Sequence, residues 1–251
     1  MAEDLPPPIP AATLILMRAA AGGGAPEILF LERSKTMAFA AGALVFPGGR
    51  IDPEDHEAAV RLAPHLPDGA ARIASVRETI EETGIAPALP AGADAGALRQ
   101  GIAAGERFDA LIERLGLALD LDALTPFARW CPNFREARRF DTLFYLAEAP
   151  AGAAAPRADA AEAVHSFWAP AADVLAEVEA GRAHAIFPTR RNLERLARFA
   201  SLEEARADAA RHPVERITPW VEEREGRRFV CIPEGIGYPV TAEPYETARR
   251  R

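Results

Sequence analysis

Arg77, Glu78, Glu81 and Glu82 are the residues whose types and spacing do chemistry most readily. On a helix, Glu78 stands three residues before Glu81 and four before Glu82, so the three carboxylates project toward one side. Like charges at that spacing repel and weaken a helix by about a few tenths of a kcal/mol per pair. Arg77 can pair with Glu81 at i, i+4, yet one guanidinium does not balance three carboxylates. A hard divalent cation, Mg²⁺ or Mn²⁺, takes oxygen ligands, keeps several waters and supplies the missing charge. Such charge runs are more often solvated helix faces. Here the context separates the two readings: the glycine-rich strand exit Gly48-Gly49 leads through the acidic turn Asp52-Pro53-Glu54-Asp55 toward the helix, and Gly84-Ile85 closes it. Backbone carbonyls near Gly48 could then reach a metal presented by the helix, and Arg77 reads as an orienter of its neighbouring carboxylates.

The elements that must position these residues can be read from periodicity. Ala12–Arg18 and Glu27–Glu32 are short apolar runs around a glycine-rich turn and predict a β-hairpin. Ala43–Phe46 predicts a third strand ended by Pro47-Gly48-Gly49. Residues 52–70 look irregular, with one helical turn. Ile73, Val76 and Ile80 recur at spacings of three and four, which predicts a helix over Ala71–Thr83 stopped by Gly84. Ala91–Gly116 is helix-prone with a loop at Gly101–Gly105. Phe127–Trp130, Phe140–Leu146 and Val164–Trp168 read as strands, with a low-complexity surface loop at Ala149–Ala163. Helices follow at Ala171–Ala180, at Thr189–Phe199 with Thr189 as N-cap, and at Leu202–Arg211. Arg216–Val221 and Arg228–Ile232 read as two more strands. Strands bracket helices throughout, so the fold class is α/β.

Composition narrows the function. The 251 residues carry 29 basic and 37 acidic side chains, a formal net charge of −8, which argues against a nucleic-acid coat. Lys35 is the only lysine, so phosphate recognition must rest on arginine, backbone and metal. Cys131 and Cys231 are too few and too far apart for a disulfide framework, and a reducing cytoplasm fits best. No stretch approaches the roughly 20 apolar residues of a membrane helix, and residues 1–10 read as a flexible Pro-rich tail.

The box residues resemble the Nudix box, G-x5-E-x7-R-E-U-x-E-E-x-G-U with U apolar. Gly49 opens it, Arg77-Glu78 and Glu81-Glu82 match its core, Gly84-Ile85 match its end, and Thr79 stands at the first U. Asp55 takes the place of the first glutamate. Between Asp55 and Arg77 lie 21 residues where the pattern has seven, an insertion placed at about 56–71 within a box spanning 49–85. Arg33-Ser34, Gly42 and Phe46-Pro47-Gly48-Gly49 are similar to the upstream segment of Nudix coenzyme A diphosphatases, with Ala38 where many members carry a second arginine. Arg138-Arg139-Phe140-Asp141-Thr142 and Phe187-Pro188-Thr189 are similar to the acyl-coenzyme A branch.

The resemblance implies a Nudix-type α/β/α sandwich with a mixed sheet, an insertion within the loop-helix-loop, C-terminal helices over about 171–212, and a single domain over 11–251. It implies metal-dependent hydrolysis of coenzyme A or acyl-coenzyme A to 3′,5′-ADP and (acyl-)phosphopantetheine. The rivals are an ADP-ribose or dinucleotide pyrophosphatase and a non-catalytic nucleotide-binding module. The implied catalytic residues are Glu78, Glu81, Glu82 and Arg77; the metal ligands are Glu78, Glu81, Glu82 and Gly48; the substrate contacts are Arg33, Arg50, Arg138 and Arg139. Glu136 is an alternative base outside the box. Arg129, Arg135, Arg138 and Arg139 form a candidate basic patch, and Arg190 and Arg191 open a helix whose N-terminus favours anions. The expected partner is a small nucleotide-containing molecule, with no nucleic acid and no membrane; a homodimer is allowed.

Overall fold

The structure, a computed structural model, describes residues 6–34, 40–132, 139–153 and 163–248. The first strand, β1 (Ile9–Arg18), begins inside the stretch read as a tail, and its alternating side chains feed two cores. β2 (Glu27–Arg33) returns antiparallel to it, as the glycine-rich turn predicts. β3 (Leu44–Val45) is shorter than expected. The chain then continues into β4 (Gly48–Arg50), so the glycine pair read as a strand exit is itself a strand, antiparallel to β1. Glycine is required there: a Cβ on Gly48 (φ +156°) would sit 2.7 Å from the Cα of Thr13.

The box insertion also departs from expectation. Instead of an irregular excursion with one turn, it forms α1 (Pro53–Leu62), a ten-residue helix. Its start was encoded: Asp52 is the N-cap, Pro53 sits in the first turn, and Asp55 closes a capping box by accepting from the Asp52 amide at 2.9 Å. α2 (Gly69–Thr83) follows. It buries Ile73, Val76 and Ile80 completely and stops at Gly84, whose left-handed φ of +69° suits only a residue without Cβ strain. α3 (Ala95–Ala103) runs into the predicted loop at 101–105, so the break before α4 (Phe108–Arg114) starts only at Ala104. A 3₁₀ turn at Leu121–Ala123 leads into β5 (Thr125–Trp130), and β6 (Phe140–Glu148) and β7 (Ala163–Pro170) follow.

β1 lies parallel to β6 along its length, β6 is antiparallel to β5, and β7 is antiparallel to β2. With β8 (Arg216–Ile217) parallel to β5, these form a mixed eight-stranded sheet. The helices α5 (Ala171–Glu179), α6 (Phe187–Leu196) and α7 (Leu202–Arg211) cover one face, and α1 to α4 cover the other. This is the α/β/α layering expected. α6 starts earlier than read: Ile186 is its N-cap, and Thr189 lies buried in the first turn rather than capping it.

The predicted strand Arg216–Val221 divides at Pro219. β9 (Trp220–Arg224), β10 (Arg227–Cys231) and β11 (Ala242–Pro244) make a separate three-stranded sheet, followed by α8 (Tyr245–Ala248). Among the described residues no helix is long and apolar enough to cross a membrane.

Candidate active site

Arg77, on the last turns of α2, organises the box. Its Nε and Nη2 donate to Asp55 Oδ1 and Oδ2 at 3.1 and 2.8 Å, its Nη1 donates to Glu78 Oε1 at 2.9 Å, and Nη2 also reaches the Arg50 carbonyl at 3.1 Å. Asp52 and Glu81 complete the ring of carboxylates at 3.3 and 3.8 Å. Burial opposes the guanidinium charge, but hydrogen bonds from Asp55 and the charges of Glu78 and Asp55 outweigh it and hold Arg77 well above its ordinary value. Arg77 is therefore a fixed cation that sets where Glu78 points. Asp55, 3% exposed, does two jobs with one carboxylate: it caps α1 and anchors Arg77.

The glycines of β4 receive the other two acids. A Cβ on Gly49 would lie 2.5 Å from both carboxylate oxygens of Glu78, so only glycine lets that side chain rest on the strand. The Gly48 amide donates to Glu82 Oε2 at 2.9 Å, and Glu82 is buried while Glu81 is half-buried. The structure thus brings Glu78, Glu81, Glu82, Arg77, Gly48 and Gly49 together. At Gly48 it is the amide that grips Glu82.

Among the described residues, no three His, Cys, Asp or Glu side chains converge as a ready metal cluster. The reason is visible: Arg77 draws Glu78 to one side and the Gly48 amide draws Glu82 to another. The donor chemistry nevertheless fits a hard divalent ion, since every candidate ligand is an oxygen on one helix turn facing closely apposed backbone.

The arginines expected to meet substrate divide. Arg50 ends β4 and is exposed beside the box. Arg33 ends β2, and its buried Nε has no hydrogen-bond partner; Arg139 precedes β6 with the same feature. Arg138, Arg135, Glu136, Ala38 and Lys35 lie outside the described residues. Arg190 and Arg191 are not an anion site. Arg191 is 1% exposed and meets Glu194 and Glu243 at 2.6 and 3.0 Å, and Arg190 binds Glu243 at 2.5 Å. Their charges are met by internal ion pairs, of which helical spacing can reveal Glu194 but not Glu243, which arrives from β11; the Nε of each and Nη1 of Arg191 make no hydrogen bond. Asp52 and the Arg50 carbonyl were likewise missed as partners of Arg77.

Comparison with known proteins places this geometry. No family model matches the chain. It is 26% identical to the acyl-coenzyme A diphosphatase NUDT19 of Gallus gallus, over 84% of this chain and 74% of that one. The crystal structure of a Nudix hydrolase from Alicyclobacillus acidocaldarius is similar with a TM-score of 0.71 and 31% identity, covering 80% of this chain and 96% of that one. With the box residues held by Arg77 and the strand glycines, and with this likeness covering 80% of the chain, the chain belongs to the Nudix hydrolase family and is a pyrophosphohydrolase.

Proposed function

We propose that the protein hydrolyses the phosphoanhydride of coenzyme A or an acyl-coenzyme A, giving 3′,5′-ADP and (acyl-)phosphopantetheine. The observation that carries this is the intact box, in which Arg77, Gly48 and Gly49 fix the glutamates, in a chain similar to an acyl-coenzyme A diphosphatase over 84% of its length. A non-catalytic binding module would have no need of a half-buried Arg77 at the centre of four carboxylates.

Glu78, Glu81, Glu82 and backbone at Gly48 would hold Mg²⁺ or Mn²⁺, which when bound neutralises diphosphate charge and makes water a better nucleophile. The remaining work falls to the chain. Arg77 holds Glu78 Oε1, so the carboxylate is positioned to take the proton of the attacking water. The water oxygen forms a new bond to phosphorus, the bridging phosphorus–oxygen bond breaks, and the leaving phosphate departs as an anion. Exposed Arg50, beside the box, meets the phosphates.

The deciding experiment incubates purified protein and Mg²⁺ with coenzyme A, acyl-coenzyme A, ADP-ribose and diadenosine polyphosphates. The expected result is fastest release of 3′,5′-ADP from a coenzyme A. Faster turnover of ADP-ribose rejects the substrate assignment, and no turnover of any member rejects the reading as a whole.

A further inference from the structure

A single row of paired residues crosses the sheet from the box to a group of arginines. Gly49 pairs with Ala12, Ala12 with Leu143, Leu143 with Arg129, and Arg129 with Arg216. Residues paired across a ladder share a face. Here that face is the one under α2: Gly49 abuts Glu78, Ala12 and Leu143 belong to the α2-side core, and Trp130 and Ile217, the neighbours of Arg129 and Arg216, point into the opposite core. The helix layer ends over this row. On β6, Tyr145 and Ala147 are buried under it, whereas Asp141 and Leu143 are partly exposed. The row therefore runs from Glu78 beneath the helices at Ala12, which is fully buried, and opens at Leu143 and Arg129, both partly exposed.

At its far end the charge is positive and partly uncommitted. Asp141 holds Arg129 with two hydrogen bonds of 2.8 Å. Arg216 is exposed and makes no hydrogen bond or ion pair among the described residues, and the buried Arg139 Nε has no acceptor. Arg216 pairs with Arg129 across the ladder, and Arg139 lies two residues before Asp141, the partner of Arg129, on the same side of β6. Among the described residues, three guanidinium groups stand with one carboxylate there, a surplus that suits a phosphate dianion. With strands about 4.8 Å apart, Arg129 stands about 14 Å from Gly49, and its side chain shortens the gap between the two anion sites to roughly 8–12 Å.

We propose that Arg129, Arg139 and Arg216 form a subsite for a phosphomonoester on the nucleotide half of the substrate, remote from the cleaved anhydride. Resting on the coenzyme A reading of the active site, this phosphomonoester is the 3′-phosphate, and the subsite distinguishes coenzyme A from 3′-dephospho-coenzyme A and from ADP-ribose.

Calorimetric titration with adenosine 3′,5′-bisphosphate and with 5′-AMP tests it without turnover. The wild type should bind the bisphosphate at least about tenfold more tightly, and Arg216→Gln and Arg139→Gln should each remove most of that margin while leaving 5′-AMP affinity unchanged. Arg216 is exposed, so its variant keeps the fold, which a melting curve verifies. In turnover, Arg216→Gln should raise KM for coenzyme A and leave KM for 3′-dephospho-coenzyme A unchanged. Equal affinity for the two nucleotides, or a margin both variants retain, overturns the subsite. Absence of coenzyme A turnover with the binding margin intact rejects the coenzyme A reading alone.

Discussion

At the residue scale, the site depends on two contacts that leave no room for change. Glu78 lies against Gly49, and Glu82 is held by the Gly48 amide. Glu78→Gln removes the proposed base and ligand together and should lower kcat by about 10²–10⁴-fold with little change in melting temperature. Gly49→Ala tests position rather than chemistry: its methyl displaces an intact carboxylate, so activity should fall by about 10²-fold in a folded protein. Retained activity in Gly49→Ala would mean that the observed seat of Glu78 is not the working one. Asp55→Ala removes the buried partner of Arg77 and should cost about 3–5 kcal/mol in chemical denaturation, with Asp55→Glu recovering part of it.

At the element scale, the inserted helix α1 acts as a brace. Arg61 of α1 meets Asp109 of α4, Arg107 donates to Asp109 at 3.1 Å and to Glu57 of α1 at 2.7 Å, and Asp55 ties the start of α1 to α2. α1 and α2 also approach closely, since a Cβ on Gly69 would meet the Ala63 Cβ at 3.0 Å. Asp109 is 4% exposed and faces two arginines; Arg107 first, against the opposition of burial, and then Arg61 hold its carboxyl below the usual range. Asp109→Ala should therefore lower stability by about 1–3 kcal/mol in urea unfolding, with kcat reduced less than by Asp55→Ala. An equal loss of kcat in both variants would show that the brace, rather than Asp55 itself, sets Arg77. The insertion could be recognised in sequence by its length and its Asp-Pro-x-Asp start, but its contacts could not. Arg61, Arg107 and Asp109 meet only when α4 folds against α1.

At the scale of the whole molecule, the C-terminal three-stranded sheet is pinned to α6 through charge. Glu243 of β11 receives Arg190 and Arg191, and Glu194 shares Arg191. Glu243→Ala leaves Arg191 buried and half-compensated and should cost about 3–5 kcal/mol, read as a lowered melting temperature. Burial pushes Glu194 up to about 7 against the pull of Arg191 and Arg190, with Glu243 adding to the rise. A carboxyl raised in the folded state binds its proton more tightly there than in the unfolded chain, so its contribution to stability is fully present below the ordinary value near 4.5 and is lost as pH rises toward 7. Glu194→Gln should flatten the fall of melting temperature between pH 4.5 and 7; an unchanged profile would place the titration elsewhere.

What the sequence by itself determined was the machinery: a helix with its apolar face at Ile73, Val76 and Ile80, carboxylates at Glu78, Glu81 and Glu82, an arginine beside them, and glycines at 48, 49 and 84. Those properties are local. Helical period, turn conformation and the spacing of charges are fixed within a few residues. Tertiary structure alone decided which charges are available. Arg190 and Arg191 look like a phosphate site in sequence and are instead spent on Glu243, more than 50 residues later, while Arg216, unremarkable in sequence, comes to lie beside Arg129 at the end of the row from Gly49. Whether a charge faces a ligand or an internal partner depends on strand pairing and burial between distant segments, which no local pattern records.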